Sequence, residues 1–295
     1  MRDELACKLS IIIPAHNEER GLSGVISGLY EYLGKSVEIV VVDDGSSDGT
    51  AEVARQHSAT LVRHPCSLGN GAAVKSGSRA AHGEIAVFMD GDGQHKPSDI
   101  PRLLARLDEG YDMVVGARTT DSQSSRTRAF ANGLYNELAT IMTGYTIRDL
   151  TSGFRAVRLR KFRRFLYLLP NGFSYPTTST MAFFRSGYPV AYVPIAANPR
   201  TGSRSSIRML KDGVRFGLII LKVGTLYSPM RLFLPVSALL TMIGLFYYGY
   251  TSATEGRFTN MTALLFTTAV LSFLIGVVSE QISALHYRGQ QEDHD

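Results

Sequence analysis

The sequence predicts an α/β domain built on a mostly parallel sheet, followed by a membrane-embedded C-terminal segment. Three observations predict it. Short apolar runs alternate with helix-length segments from Leu9 to Gly116. Several of those runs end in carboxylates set among Gly and Ser. Two long uncharged apolar runs lie near the C-terminus. The 295 residues are enough for one large domain or two smaller ones.

The elements follow in order. Leu9–Ile13 is a strand, followed by Pro-Ala-His-Asn-Glu-Glu and a helix near Leu22–Leu33. Val37–Asp43 is the second strand, and the turn after it, Asp-Gly-Ser-Ser-Asp-Gly-Thr, leads to a helix near Ala51–His57. Asp48 in that turn suits a helix cap as well as a ligand. Thr60–Arg63 is a short strand, and a Gly-rich segment then opens a helix that ends near Ala81. Ile85–Asp90 is a strand, Pro101–Glu109 a helix and Met113–Gly116 a strand. This βαβα order calls for a parallel sheet with helical cover.

Ile85–His95 is the most informative stretch: an apolar strand ends in Asp90 and Asp92, one residue apart. In open α/β sheets ligands bind at the carboxyl ends of the strands. Two carboxylates there, with Gly91 and Gly93 admitting the backbone, suit a hard divalent cation that also holds a diphosphate. An EF-hand is excluded, because its sixth and twelfth loop positions fall on His95 and Pro101 instead of Gly and Glu. A phosphatase using Asp90 as nucleophile is disfavoured, because two βα units precede it.

Leu232–Tyr250 and Met261–Val278 each match a bilayer core of about 30 Å. Pro235 sits near the start of the first span, where it disrupts least. Tyr247, Tyr248 and Tyr250 suit an interfacial belt. Arg204, Arg208, Lys211, Arg215, Lys222 and Arg231 precede the first span and Arg288 follows the second, whereas the loop Thr251–Asn260 has Arg257 alone. The positive-inside rule therefore places both flanks, and the first domain, on the cytoplasmic side of the inner or plasma membrane as a multi-pass protein. Ile207–Tyr227 reads as amphipathic helices lying on the membrane surface. The expected organisation is a domain over residues 1–205, interfacial helices over 206–228 and a two-helix membrane domain with a short tail over 229–295.

The formal charge is +5, with six cations concentrated in Arg155–Arg164. That cluster reads either as a solvated helix face or as a phosphate-binding patch. With two spans and no nucleic-acid motif, lipid heads fit it better than nucleic acid. Cys7 and Cys66 form no disulfide framework and no zinc site, which fits a reducing compartment. The charged N-terminus lacks a signal-peptide core.

Six segments together resemble family 2 glycosyltransferases of the GT-A fold: Pro14–Glu19, Val40–Thr50, Gly69–Gly77, Phe88–Pro97, Val114–Arg118 and Asp149–Ala156. The polyprenyl-phosphate glycosyltransferases, dolichyl-phosphate mannose synthases and two-span bacterial relatives among them, look most similar. The resemblance implies that Pro14, Ala15 and Glu18 hold base and ribose, with Asp44 at the base or ribose. It also places Asn17, Asp43, Gly71 and Gly91 in the nucleotide-sugar site and Asp149 in the catalytic centre. Asp90 and Asp92 would bind Mg²⁺ or Mn²⁺, with Gln94 as third ligand. Arg118, Arg128, Asn132 and Arg204 would bind the acceptor phosphate, and Arg200 the diphosphate.

The implied partners are a UDP- or GDP-linked sugar, a polyprenyl phosphate lipid and the membrane, with no nucleic acid. A homo-oligomer through the spans is a further possibility. A lipid phosphate is already anionic at neutral pH, so the reaction needs no strong general base. Two departures touch donor identity. The loop reads Arg200-Thr-Gly-Ser-Arg-Ser-Ser in place of Arg-x-x-Gly-x-Ser-Lys, leaving Arg204 as the substitute cation, and Ser67 and Asn70 stand where the family often has Asn and Lys. A processive synthase is disfavoured, because the chain has no tryptophan for a Gln-x-x-Arg-Trp motif. A degenerate, non-catalytic membrane scaffold is the non-enzymatic alternative.

Overall fold

The computed structural model describes residues 8–118, 126–172, 174–196, 225 and 228–288. Two compact units divide the chain: Met1–Glu137 with Thr146–Arg208, and Leu138–Tyr145 with Met209–Asp295.

The first unit carries seven strands: β1 (Leu9–Ala15), β2 (Glu38–Asp43), β3 (Thr60–Arg63), β4 (Ile85–Phe88), β5 (Met113–Arg118), β6 (Arg155–Arg158) and β7 (Val190–Ile195). They form one sheet in the order β3-β2-β1-β4-β6-β5-β7. Every pairing is parallel except those of β6, which runs antiparallel to both β4 and β5. Central β1 is buried along nearly its whole length, which is why its Leu-Ser-Ile-Ile-Ile reads as a continuous apolar run instead of an alternating one.

The helices are α1 (Glu19–Leu33), α2 (Thr50–Gln56), α3 (Asn70–Ala80), α4 (Ile100–Asp108), α5 (Arg126–Thr143), α6 (Leu159–Arg163) and α7 (Tyr175–Arg185). In α1, Leu22, Val25, Ile26 and Leu29 recur at helical spacing and are buried; Ile100, Leu103, Leu104 and Leu107 do the same in α4. Both stripes join the core against β1, β4 and β5. The expected strand Ile85–Asp90 stops at Phe88, so Met89 and Asp90 already belong to the turn.

The cationic run Arg155–Arg164 does not form the phosphate patch that its composition suggests. Arg155 is completely buried. Arg158 donates to Leu107 O (3.1 Å), and Lys161 pairs with Asp112 (2.7 Å). Arg163 donates to Ser78 O and Ala81 O at the end of α3, and Arg164 to the Tyr188 hydroxyl. Five of the six cations thus hold neighbouring elements of their own unit.

The second unit contains α8 (Pro229–Glu255) and α9 (Asn260–Arg288), both long and apolar enough to cross a membrane. Each exceeds the run read from sequence, and the expected loop Thr251–Asn260 shrinks to residues 256–259. Their seam is built from small residues seven apart: Ser237, Gly244 and Thr251 on α8, and Thr262, Ala269, Gly276 and Ser283 on α9. Ser237 Oγ donates to Ala269 O at 2.8 Å. A side chain at Gly276 would begin 2.8 Å from Phe233 Cβ, so the helices approach closely only because none is there. The Glu280 carboxylate accepts from Met230 N–H in the first turn of α8 (3.3 Å), where the helix dipole favours a negative charge. Arg231 donates to the Ile141 and Met142 carbonyls at the end of α5 (3.0 and 2.9 Å). The surface helices expected over 206–228 lie outside the described residues, apart from residues 225 and 228.

Candidate active site

The order in which strands are added reverses between the parallel strands β1 and β4: β2 and β3 lie to one side of β1, and β4 to the other. Ligands bind at the carboxyl edge of such a switch point. The loops His16–Glu18, after β1, and Met89–Gln94, after β4, leave the sheet there.

The first loop is fastened to the one after β2. Asn17 stands in the left-handed region (φ 56°). Its N–H donates to Ser46 Oγ (2.9 Å), and its Oδ1 accepts from Ser47 N–H (2.9 Å). Glu18 N–H donates to Thr50 Oγ1 (2.9 Å). Asp48 accepts from the backbone of Thr50 and Glu19 (3.0 and 3.2 Å), so it serves as a turn and cap residue.

Asp43 and Asp44 differ in use. Asp44 is buried, and both oxygens are occupied: Oδ1 by His64 Nδ1 and Leu68 N–H, Oδ2 by Ser67 Oγ and Gly69 N–H. Burial alone would raise its carboxyl, but these bonds outweigh that effect and hold it below the ordinary carboxylate value. Asp44 therefore anchors the Gly-rich loop. Asp43 Oδ1 accepts from Ser46 N–H, while its buried Oδ2 has no hydrogen bond and lies 3.1 Å from Arg63 Nε. Arg63, His64, Pro65, Gly45 and Ser46 line an adjoining cavity of about 370 Å³. Gly71 has a packing role: its N–H donates to Gly172 O, and a Cβ there would fall 1.9 Å from Pro170 O. The carbonyls of residues 170–172 thereby cover the first turn of α3.

Asp92 is buried and its Oδ1 accepts from Gln94 N–H (3.1 Å); Asp90 keeps 35% of its side chain exposed. His95 stacks on Phe154 (4.8 Å, 10°) and places Nε2 3.6 Å from Asp90 Oδ2. Among the described residues no group of three His, Cys, Asp or Glu side chains could hold a metal by itself. Two hard carboxylates, with Gln94 bound to Asp92 through its N–H, still fit Mg²⁺ or Mn²⁺, ions that take one or two carboxylates and complete their shell with phosphate oxygens and water. Gly91 is buried, and its carbonyl would touch any side chain placed at Gly21 (2.9 Å).

Arg118, at the end of β5, is locked by Asp149: Nε to Oδ2 at 2.8 Å and Nη2 to Oδ1 at 3.0 Å, with Nη2 also donating to Thr151 Oγ1 (2.6 Å). Burial opposes both charges. The pairing prevails, raising the Arg118 value and lowering that of Asp149, and the Asp90 charge acts on Arg118 in the same sense. One edge of the sheet thus joins two carboxylates that suit a cation to an arginine that suits a phosphate.

Arg128 and Asn132 lie four apart on α5, but their side chains are outside the described residues, as are Arg200 and Arg204 altogether. The roles of Arg155 and Tyr175 are absent from the sequence reading. Arg155 lies within the Asp149–Ala156 segment and Tyr175 nineteen residues beyond its end.

Residues 10–166 match the profile of Glycosyl transferase family 2, and residues 228–285 match that of the GtrB C-terminal hairpin. The undecaprenyl-phosphate 4-deoxy-4-formamido-L-arabinose transferase of Salmonella paratyphi A is 36% identical over 160 residues, covering 51% of this chain and 49% of that relative. The match thus spans about half the length of that transferase. The glycosyltransferase AglJ of Haloferax volcanii is 28% identical over 291 residues, 94% of each chain. Among solved structures, glucosyl-3-phosphoglycerate synthase from Mycobacterium tuberculosis, in complex with Mn²⁺, UDP and glucosyl-3-phosphoglycerate, aligns with a TM-score of 0.58 at 21% identity, over 75% of this chain and 80% of that one. The same enzyme was also solved with Mg²⁺ and UDP (TM-score 0.58, 22% identity, 75% and 79% covered). This likeness shows the fold, the GT-A type of α/β domain that the sequence leads one to expect.

Proposed function

The chain belongs to glycosyl transferase family 2, and from that premise we propose that it moves one sugar from a nucleotide-diphosphate sugar to a membrane polyprenyl phosphate, with inversion at the anomeric carbon. The observation that carries the reading is the sheet edge at which Asp90 and Asp92 stand with Arg118, itself fixed by Asp149. Two negatively charged reactants must meet in this reaction, and such an edge, with a divalent cation on its carboxylates, would set positive charge beside them together with Arg118.

Asp90, Asp92 and Gln94 would hold Mg²⁺ or Mn²⁺. That ion supplies Lewis-acid stabilisation of the departing diphosphate. Arg118 binds a phosphate group, held by Asp149 in one orientation. Arg128, Asn132 and Arg204 are assigned to the acceptor phosphate and Arg200 to the diphosphate. Pro14, Ala15, Asn17 and Glu18 form the wall of the nucleotide site. The Asp43 oxygen now paired with Arg63 (3.1 Å) would turn to an imide-type N–H, and the exposed Arg63 would donate to a neighbouring carbonyl. Uracil and guanine present that pair of groups, the bases of a UDP- or GDP-linked donor.

The C-terminal hairpin would keep the chain at the lipid acceptor, with the catalytic unit on the cytoplasmic face. Cations flank the two helices, whereas Arg257 in the connecting loop pairs with Glu255 (2.7 Å). Residues 1–205, 206–228 and 229–295 would act as catalytic, interfacial and membrane parts, and any homo-oligomer would form through the membrane helices. One relative's name specifies an undecaprenyl-phosphate acceptor, in line with this reading.

A panel of radiolabelled UDP- and GDP-sugars, offered to the full chain in membranes with polyprenyl phosphate, tests it. One donor is expected to label a solvent-extractable lipid in the presence of Mg²⁺ or Mn²⁺. Label confined to water-soluble products would contradict the proposal.

A further inference from the structure

We propose that Arg155 and Tyr175 are positioning residues for the transfer, fixing from within the domain the Asp149–Gly153 turn on which both Arg118 and Asp90 depend. The inference rests on the reaction proposed above and adds two residues that touch neither substrate.

Arg155 lies in the run that composition marks as basic surface, yet it is completely buried. Every acceptor it meets is neutral. Nη1 donates to Pro176 O (2.9 Å), Ser179 Oγ (2.8 Å) and Thr180 Oγ1 (3.1 Å), all in α7. Nη2 donates to Ser152 O. Its guanidinium carbon stands 5.7 Å from the centre of the Tyr175 ring. Nε is buried with no hydrogen-bond partner. Removing a guanidinium from water without a carboxylate partner costs several kcal/mol, and a well-packed apolar side chain is often as stable or more so. Stability alone therefore does not account for an arginine here.

What this arginine joins does account for it. Ser152 lies in the turn that positions Arg118: its N–H donates to Asp149 Oδ1 (3.1 Å) and its hydroxyl to Gly116 O in β5 (2.6 Å). The next carbonyl, Gly153 O, accepts from the Tyr175 hydroxyl (3.1 Å). Gly153 lies beside the proposed metal carboxylate: a Cβ added there would stand 3.5 Å from Asp90 Oδ2. The turn therefore holds Arg118 through Asp149 and passes next to Asp90 at Gly153. Arg155 and Tyr175 tie both of its last carbonyl groups to α7. A shift of the turn moves the phosphate-facing and metal-facing groups together, and misplacement by about 1 Å can cost about a hundredfold in rate.

The test uses the full chain in detergent or nanodiscs. Tyr175→Phe deletes one hydroxyl and keeps the ring over Arg155. Arg155→Lys keeps the charge and can reach the α7 acceptors, but it cannot span both sets as a guanidinium does. Arg155→Met removes both. Hydrogen exchange of the metal-free protein is expected to rise at Thr151 and Ser152 in Tyr175→Phe and Arg155→Lys, with the rest of the sheet unchanged. Mn²⁺ binding followed by electron paramagnetic resonance is expected to weaken about three- to tenfold in Tyr175→Phe, with kcat reduced and donor KM at saturating metal within about twofold. Arg155→Lys is expected to retain more activity than Arg155→Met. Unchanged exchange in the turn and unchanged Mn²⁺ binding in Tyr175→Phe and Arg155→Lys overturn the inference. So does exchange that rises uniformly over the domain. Asp92→Ala separates the two levels. If it loses Mn²⁺ while the two conservative variants do not, only this inference fails; if it binds Mn²⁺ as the unaltered chain does, the metal-site reading fails and takes the inference with it.

Discussion

The two units obey opposite rules of burial. In the catalytic unit Ile11, Ile12, Ile13, Leu22 and Ile26 are inside, and even the deeply buried Arg155 is enclosed by hydroxyls and carbonyls. In the hairpin the large side chains point outward: Phe246 is 79% exposed and Leu285 67%, while Ser237, Thr251, Thr262 and Ser283 are buried. A small-residue seam with an apolar exterior is what helices adopt when the surroundings are as apolar as leucine and close packing drives association. The same chain is thus written for two solvents, which is the physical basis for reading it as an enzyme held at a membrane.

The largest expected effect is Asp92→Ala. Sugar transfer should fall by about a thousandfold or more, while extraction from membranes stays as for the unaltered chain. Retained transfer would show that the carboxylate pair is not the centre of the chemistry.

Next comes a pair of truncations, one from each unit. Ile26→Ala opens a cavity in the catalytic core and should cost about 2–5 kcal/mol. Phe246→Ala removes a larger side chain from the outside of α8 and should change stability in detergent by less than about 0.5 kcal/mol. Thermal or denaturant unfolding reads both. Equal losses would mean that the outer face of α8 is buried against protein.

A smaller effect follows from Asp149. Its carboxyl is held below the ordinary value because Arg118 outweighs burial. A depressed folded-state value means that the pair contributes its full stability above the ordinary carboxylate value, about 3.9, and that this contribution is lost as pH falls through the folded value. Asp149→Asn should therefore lower stability at pH 7 and flatten the decline below about pH 4, measured as urea midpoints across that range. The smallest change is expected from Ser237→Ala. Loss of its bond to Ala269 should cost about 0.6 kcal/mol and leave Mn²⁺ binding untouched.

Legibility in the sequence follows the same division. From β1 to β5 each strand is a short apolar run closed by a turn motif, so alternation alone locates the elements, with errors of one to three residues at their ends. Asp90 and Asp92 stand out because two acids end an apolar run. Beyond Arg118 the signal fails for physical reasons. β6 has four residues and enters the sheet antiparallel between distant strands, a pairing that no local pattern encodes. Buried α7 contains Thr177, Thr178, Ser179 and Thr180, which read as surface until their hydroxyls are seen turned to carbonyls and Arg155. Arg155 itself reads as one cation among six. The membrane runs are plain from length and apolarity. Their seven-residue seam is also present in the sequence, but it is overlooked when only hydrophobic residues are tracked.

The most direct test of the central claim is the release of nucleoside diphosphate by the purified full chain in nanodiscs, measured with and without polyprenyl phosphate. The account predicts release that depends on the lipid phosphate, requires Mg²⁺ or Mn²⁺, and equals the sugar recovered in the lipid. Release that ignores the lipid, or that is driven by a soluble phosphorylated acceptor, would contradict it.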